Sequence, residues 1–349
     1  MKNNENTKIL FVAKHKEAKK IFESLKEATL NTNLEIDLIY LSDYFFIRMI
    51  GIETKNKVFK IILSIFYQFK ITRTVRRYDQ IVVCPGGFVS DVYLGIGLYE
   101  GKKVYILQSG FMYEFKNKLN IKKSKPINNL IKYRKSLFGK NNQIIYLVHG
   151  NFYKNILIDG EISEEKIVVV GSPRAIEKNS NFLENEKYKL IYLCSSHPYE
   201  KLKEEGEIEK THLHYLNTAN IKNLDILVKP HPRGLSIEYL QNLYRNINFY
   251  MFDMKDINNF GNIIFSNQST GNFEAIYQGV QAYFLDSRDK FSYIEKDLKV
   301  DNIEQLPYLI PEFFTNYSSI IKNQKKIVKK YLEYSGNESL KQIIKSLST

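Results

Sequence analysis

Little in this 349-residue chain points to a membrane span, a disulfide scaffold or a common cofactor fingerprint. No segment approaches the ~20 consecutive apolar residues that a spanning helix needs. The first residues, "MKNNENTKILFVAKHKEAKK", hold neither an apolar signal core nor a small-residue cleavage site, so the expectation is a mature, intracellular protein. Only two cysteines occur, Cys84 and Cys194, each ending an apolar run; this argues against a disulfide framework and for the cytoplasm. Also missing are GxGxxG, a Walker sequence, DxD, HExxH and paired CxxC. A dinucleotide, P-loop or metal site therefore lacks support. His212 and His214 stand two apart on an expected helix and so point apart. The expectation is no metal and no resident cofactor.

What the chain does have is positive charge, with 51 Lys and Arg against 38 Asp and Glu for a net +13. Its placement is uneven. Residues 55–77 hold seven Lys or Arg and no acid, and residues 114–140 hold nine against one Glu. Within the first segment Val58, Ile62, Ile65, Phe66 and Phe69 share one helical face. Two readings stay open: a basic amphipathic helix lying on anionic lipid at the inner face of the cytoplasmic membrane, or a core helix with a solvated basic rim. Nucleic acid is not the expected partner, because no zinc-finger spacing, RNA-binding aromatic signature or helix-turn-helix pattern accompanies the charge.

Short β-branched runs alternate with longer helical patterns. They fall at 9–13, 34–40, 81–84, 103–107, 144–148 and 167–170, and then at 190–194, 224–228, 246–250, 262–265 and 282–285. Continuous apolar strands separated by helices indicate parallel sheets covered on both faces. Two such series, divided near the polar stretch 177–189, predict an α/β chain with two Rossmann-like domains. The boundaries expected are 1–175, 176–330 and a basic helical tail over 331–349.

Ligands of open parallel sheets sit where strands end. After 81–84 comes Gly86-Gly87, which fits a tight turn or a ligand cradle. His149 follows 144–148 as a base, a phosphate ligand or a helix cap. After 167–170, Gly171, Ser172 and Pro173 form a turn expected to expose backbone N–H groups, and Arg174 adds a cation. His197 and Glu200 follow 190–194, and Lys229, His231 and Arg233 follow 224–228 within "VKPHPRG". Ser269 and Thr270 precede Gly271 and a helix carrying Glu274. Hydroxyls and N–H groups at a helix start suit phosphate, and Glu274 could accept from ribose hydroxyls. A nucleotide held by histidine, hydroxyls and helix dipole is the economical reading; turn and cap residues are the plain alternative.

In "VKPHPRG", "SNQSTGNFEAIYQGV", "SSHPYE" and "VVGSPR" the chain resembles GT-B glycosyltransferases of bacterial capsule and lipopolysaccharide synthesis, nearest the CMP-sugar-dependent sialyltransferase and Kdo-transferase groups. The likeness covers mainly residues 143–290. It implies a GT-B fold with an interdomain cleft, an acceptor-side N-terminal domain and a C-terminal domain holding a CMP-linked sugar without metal. It further implies that His231 meets the donor phosphate and stabilises the leaving CMP, with Ser269 and Thr270 beside it. The partners implied are a nucleotide-sugar donor and a glycan or glycolipid acceptor. One departure is plain. Where sialyltransferases carry an acidic pair before glycine, this chain has Gln108-Ser109-Gly110-Phe111. The base or nucleophile is then Glu200 first, followed by Asp91, Glu205 or His149. Rival readings are a CDP-polyol phosphotransferase, a UDP-sugar transferase or 2-epimerase, and a non-catalytic scaffold at a membrane surface.

Overall fold

A computed structural model of the chain describes residues 6–41, 68–84, 88–108, 144–160, 162–178, 188–194, 203–219, 224–231, 234–267, 269–285 and 294–349. They form two compact units, Met1–Pro173 with Tyr331–Thr349, and Arg174–Lys330.

The first unit is built on β1 (Thr7–Ala13), β2 (Leu34–Tyr40), β3 (Gln80–Val83), β4 (Lys103–Leu107), β5 (Ile144–Val148) and β6 (Ile167–Val169). All pair in parallel in the order β2-β1-β3-β4-β5-β6. Its described helices include α1 (Lys16–Ala28), α2 (Phe88–Tyr99) and α3 (Asn151–Asp159). Helix α1 forms because Ala18, Ile21, Phe22 and Leu25 recur at helical spacing and bury one face, with Glu17 in its first turn and Lys26 in its last. Each of its three large side chains contributes about 1.5–3 kcal/mol by leaving water.

The second unit carries β7 (Tyr188–Leu193), β8 (Leu224–Lys229), β9 (Asn248–Phe249), β10 (Ile263–Ser266), β11 (Gln281–Leu285) and β12 (Lys299–Val300). They too are parallel, in the order β12-β11-β10-β7-β8-β9. Around them lie α4 (Lys203–Thr218), α5 (Ile237–Leu243), α6 (Gly271–Tyr277), α7 (Leu306–Thr315) and α8 (Tyr317–Val328). Phe265, Tyr283 and Phe313 stack in series in its core, with ring centroids 5.5 and 4.4 Å apart.

The last helix, α9 (Gly336–Leu347), lies in the stretch read from sequence as a tail and belongs to the first unit. Ile343 and Leu347 enter the same core as Phe11, Phe22 and Tyr105, and the Tyr105 hydroxyl donates to the Ser346 carbonyl at 2.8 Å. Thus the chain leaves the first unit, builds the second and returns. Each expected apolar run with described residues coincides with a strand to within two residues, and the expected pair of parallel Rossmann-like sheets is present. Among the described residues no helix is long and apolar enough to cross a membrane.

Of the basic amphipathic segment, Val58, Ile62, Ile65 and Phe66 lie outside the described residues. Phe69 opens a described helical stretch, 68–75, in which Ile71 and Val75 point inward while Phe69 is 78% exposed.

Candidate nucleotide site

Sheet order decides where ligand chemistry can gather. In the second unit the chain runs from β7 outward through β8 and β9, then returns to the other side of β7 as β10. The carboxyl ends at that reversal are the expected ligand position of an open parallel sheet. Register aligns them: Ser266 pairs with Leu193, and Leu193 with Lys229. The loops bearing Ser269 and Thr270, His197 and Glu200, and His231 and Arg233 therefore leave three adjacent strands side by side. His197, Glu200 and Arg233 themselves lie outside the described residues. Asp91 and Glu205 fall on α2 and α4, but their side chains are outside the described set.

His231 is half-buried, two residues past β8. The Gly234 N–H donates to its carbonyl at 2.8 Å, closing a four-residue turn. Gly234 in fourth place is what such a turn prefers. Lys229 is only 9% exposed, and its Nζ lies 5.4 Å from the centre of the Phe252 ring.

The loop after β10 is tied internally. Ser266 Oγ donates to Asn272 Oδ1 at 2.9 Å and accepts the Ser269 N–H at 3.0 Å. Asn272 Nδ2 reaches the Tyr283 carbonyl at 3.0 Å. Ser269 Oγ accepts the Gly271 N–H at 3.1 Å, so this hydroxyl shapes the turn. A side chain at Gly271 would meet Met254 Cε at 2.8 Å and Leu193 Cδ1 at 3.0 Å, which explains glycine there. Thr270 is the residue before α6, yet its side chain makes no capping bond. The plain cap reading thus fits Ser269 and not Thr270.

Glu274 is buried in α6 and its Oε1 lies 2.8 Å from Arg174 Nη2. Arg174, expected from sequence as a phosphate ligand, is thereby bound to a carboxylate. The segment after it continues along the same helix, with the Lys178 N–H donating to Tyr277 O at 3.1 Å and Lys178 Nζ reaching Asn258 Oδ1 and the Lys255 carbonyl.

The 171–173 turn departs from the sequence expectation of exposed amides. Ser172 is buried and its N–H donates to the Tyr334 carbonyl at 3.0 Å, while Ser172 and Ser335 form a bridge. Gly171 has φ +73°, and a Cβ there would sit 2.0 Å from Tyr334 O. Both residues join the first unit to its returning chain. Pro173 is half-buried at the last position of that unit.

The first unit has its own strand-end cluster. Gln108, following β4, is buried, and its Oε1 accepts the His149 N–H at 2.9 Å. His149 is buried rather than on the surface, edge-on to Tyr153, and Gly150, not His149, occupies the cap of α3. Reversal of strand order falls between β1 and β3, so Lys14 and His15 also stand at a ligand position. Sequence reading passed over both. Only strand order reveals them, and no local pattern encodes it.

Both cysteines are free and buried. Burial pushes the Cys84 thiol up, and burial together with the neighbouring Glu209 carboxylate pushes Cys194 well up, so neither is a nucleophile. His212 is buried against the Tyr192 hydroxyl, with Nδ1 2.9 Å away, whereas His214 is exposed. Among the described residues no three His, Cys, Asp or Glu side chains gather as a metal site would require.

No protein-family model matches the chain, and no curated protein does. Solved structures do. S. aureus MnaA with UDP superposes with TM-score 0.63 at 13% identity, over 98% of this chain and 96% of that one. The UDP-GlcNAc 2-epimerase of Neisseria meningitidis, bound to UDP-GlcNAc, gives 0.61 at 15% identity, over 98% and 100%. The wall teichoic acid polymerase TagF with CDPG gives 0.52 at 12%, over 99% and 89%. With two six-stranded parallel sheets matched along its length, the chain has a GT-B fold of two Rossmann-like domains.

Proposed function

We propose that the chain is a nucleotide-sugar-processing enzyme whose 174–330 unit holds the nucleotide, with a UDP-sugar as the substrate that the fold comparisons favour. The carrying observation is that His231 and the Ser269-Thr270 loop follow the carboxyl ends of β8 and β10, the two strands that pair with β7 on either side. Solved structures of this fold name UDP or UDP-GlcNAc as the bound compound. The CMP-linked acidic sugar implied by the sequence resemblance takes second place.

The chemistry required is cleavage of the anomeric C1–O bond, with the electron pair passing to a phosphate oxygen through an oxocarbenium-like state. His231, held by a proline-flanked turn, is suited to donate to that departing oxygen, and the Thr270 hydroxyl is suited to a second. Transfer then needs an acceptor hydroxyl and a base for its proton; epimerisation at C2 needs a base for the C2 proton. Gln108 is an amide and cannot supply that base. His149 beside it can, and Glu200 stands as the sequence's own candidate. The acceptor that fits the resemblance is a bacterial surface glycan or glycolipid.

Incubation of purified protein with UDP-GlcNAc, with and without an oligosaccharide acceptor, separates the outcomes. Acceptor-dependent UDP release identifies a transferase, and an altered C2 configuration by proton NMR identifies an epimerase. Turnover of CDP-glycerol alone would favour the reading that TagF supports. If no nucleotide sugar binds or turns over, the enzyme reading fails and a scaffold remains.

A further inference from the structure

We infer that the first unit carries a docking surface for an anionic lipid bilayer, made by residues 68–77 and the end of α2. Ile71 and Val75 bury one side of the 68–75 helix and fix its rotation. The Thr72 and Thr74 hydroxyls donate back to the Gln68 and Lys70 carbonyls, at 2.8 and 3.0 Å. Phe69, Lys70, Arg73, Arg76 and Arg77 are left on the exposed side. Four cations, one of them paired with Glu100, thus share the exposed side with a phenylalanine that is 78% exposed.

A second element adds to this face. Arg76 makes two bonds to the Glu100 carboxylate, at 2.8 and 3.1 Å, and Lys102 Nζ donates to the Arg76 carbonyl at 3.4 Å. These contacts bring the end of α2 alongside, including Tyr99, which is 75% exposed. Among the nearby acids, Glu100 pairs with Arg76, while Asp79 accepts the Lys8 N–H at 2.8 Å and Asp37 accepts the Tyr78 hydroxyl at 2.9 Å, which places both carboxylates at the edge of this face. A cationic rim around two exposed aromatic rings complements an anionic headgroup layer above acyl chains: the rings reach the interface and the cations meet phosphate. A nucleic-acid duplex would be served by the cations alone, whereas the exposed Phe69 and Tyr99 add apolar contact that a bilayer interface takes up. Basic α8 is likewise partly compensated, with Lys325 near Glu177 at 3.9 Å and Lys330 on Glu295 at 2.6 Å, and its one aromatic residue, Tyr317, is buried. The surface belongs to the first unit and stands whether or not the nucleotide reading holds.

The test uses the full chain and vesicles of phosphatidylcholine with or without about 30 mol % phosphatidylglycerol. Wild type should sediment with the anionic vesicles at about 50 mM salt, and release at about 500 mM, where charges are screened within a few ångströms. Arg73→Glu with Arg77→Glu should weaken binding by about tenfold or more. The chain contains no tryptophan, so Phe69→Trp gives a single reporter at an exposed position that folding does not need. Its emission should move to the blue on anionic vesicles and stay put on zwitterionic ones. Equal uptake by both vesicle types, no uptake at low salt, or binding that leaves the reporter's emission unshifted would overturn the assignment. So would binding of poly(U) that the double charge reversal abolishes, with none to vesicles; that would make the face a nucleic-acid surface.

Discussion

Arg174 and Glu274 are joined by an ion pair with Nη2 and Oε1 2.8 Å apart, although a hundred residues separate them. It ties the opening segment of the second unit to the helix behind the Ser269-Thr270 loop. Glu274 is 7% exposed at its side chain and Arg174 22%. Removing one partner strands a charge that water barely reaches. Arg174→Ala should destabilise the chain toward the lower end of about 3–5 kcal/mol, because the guanidinium retains some solvent. Adding Glu274→Gln should restore part of that loss. Urea midpoints of the two single variants and the double variant measure the coupling.

Gly171→Ala should be costlier than an ordinary loop change. The position needs φ +73°, and its Cβ would overlap the Tyr334 backbone. Strain and clash together predict a loss of about 2 kcal/mol or more, read as a lowered urea midpoint. Gly101→Ala serves as the control. It shares a positive φ of +68° but has open space at its Cβ position, so its loss should be smaller.

The returning C-terminal helix makes a third prediction. Tyr105→Phe removes the bond to Ser346 and leaves the ring packed, so about 1 kcal/mol should be lost. Ile343→Ala opens a cavity between α9 and the sheet and should cost about 2–4 kcal/mol. Hydrogen exchange should show the amides of β1 deprotected together with those of α9, since they share one core.

Alkaline pH should destabilise the protein. Burial raises Cys84, Cys194 and Tyr105 above their ordinary values, Tyr105 to about 12. These groups are neutral when protonated, so the unfolded chain ionises first. Their contribution is complete below about pH 8.5 and is lost as pH rises toward the folded values. Urea midpoints should fall between pH 8 and pH 11. Ellman's reagent at pH 8 should label neither thiol until the chain unfolds. Rapid labelling of the native protein would contradict the burial.

The sheets were legible because buried parallel strands read as continuous apolar runs. The two-residue β12 was not, since Val300 stands between Lys299 and Asp301 outside any apolar run. Strand order was not legible either, and with it went the ligand position of Lys14 and His15. The amphipathic face of α9 announces burial against something without saying what, so its place in the first unit could not be read. His231 and Thr270 stand out as candidates because prolines and hydroxyls after a strand are local signals. The Arg174 partnership and the buried setting of His149 depend on residues distant in sequence, which no local pattern records.

Isothermal titration of UDP into wild type and His231→Ala tests whether the second unit holds the nucleotide through His231. Saturable binding to wild type is expected, with a loss of roughly ten- to a hundredfold in the variant, the worth of one charge-assisted bond. Equal binding by both proteins, or none by wild type, would contradict it.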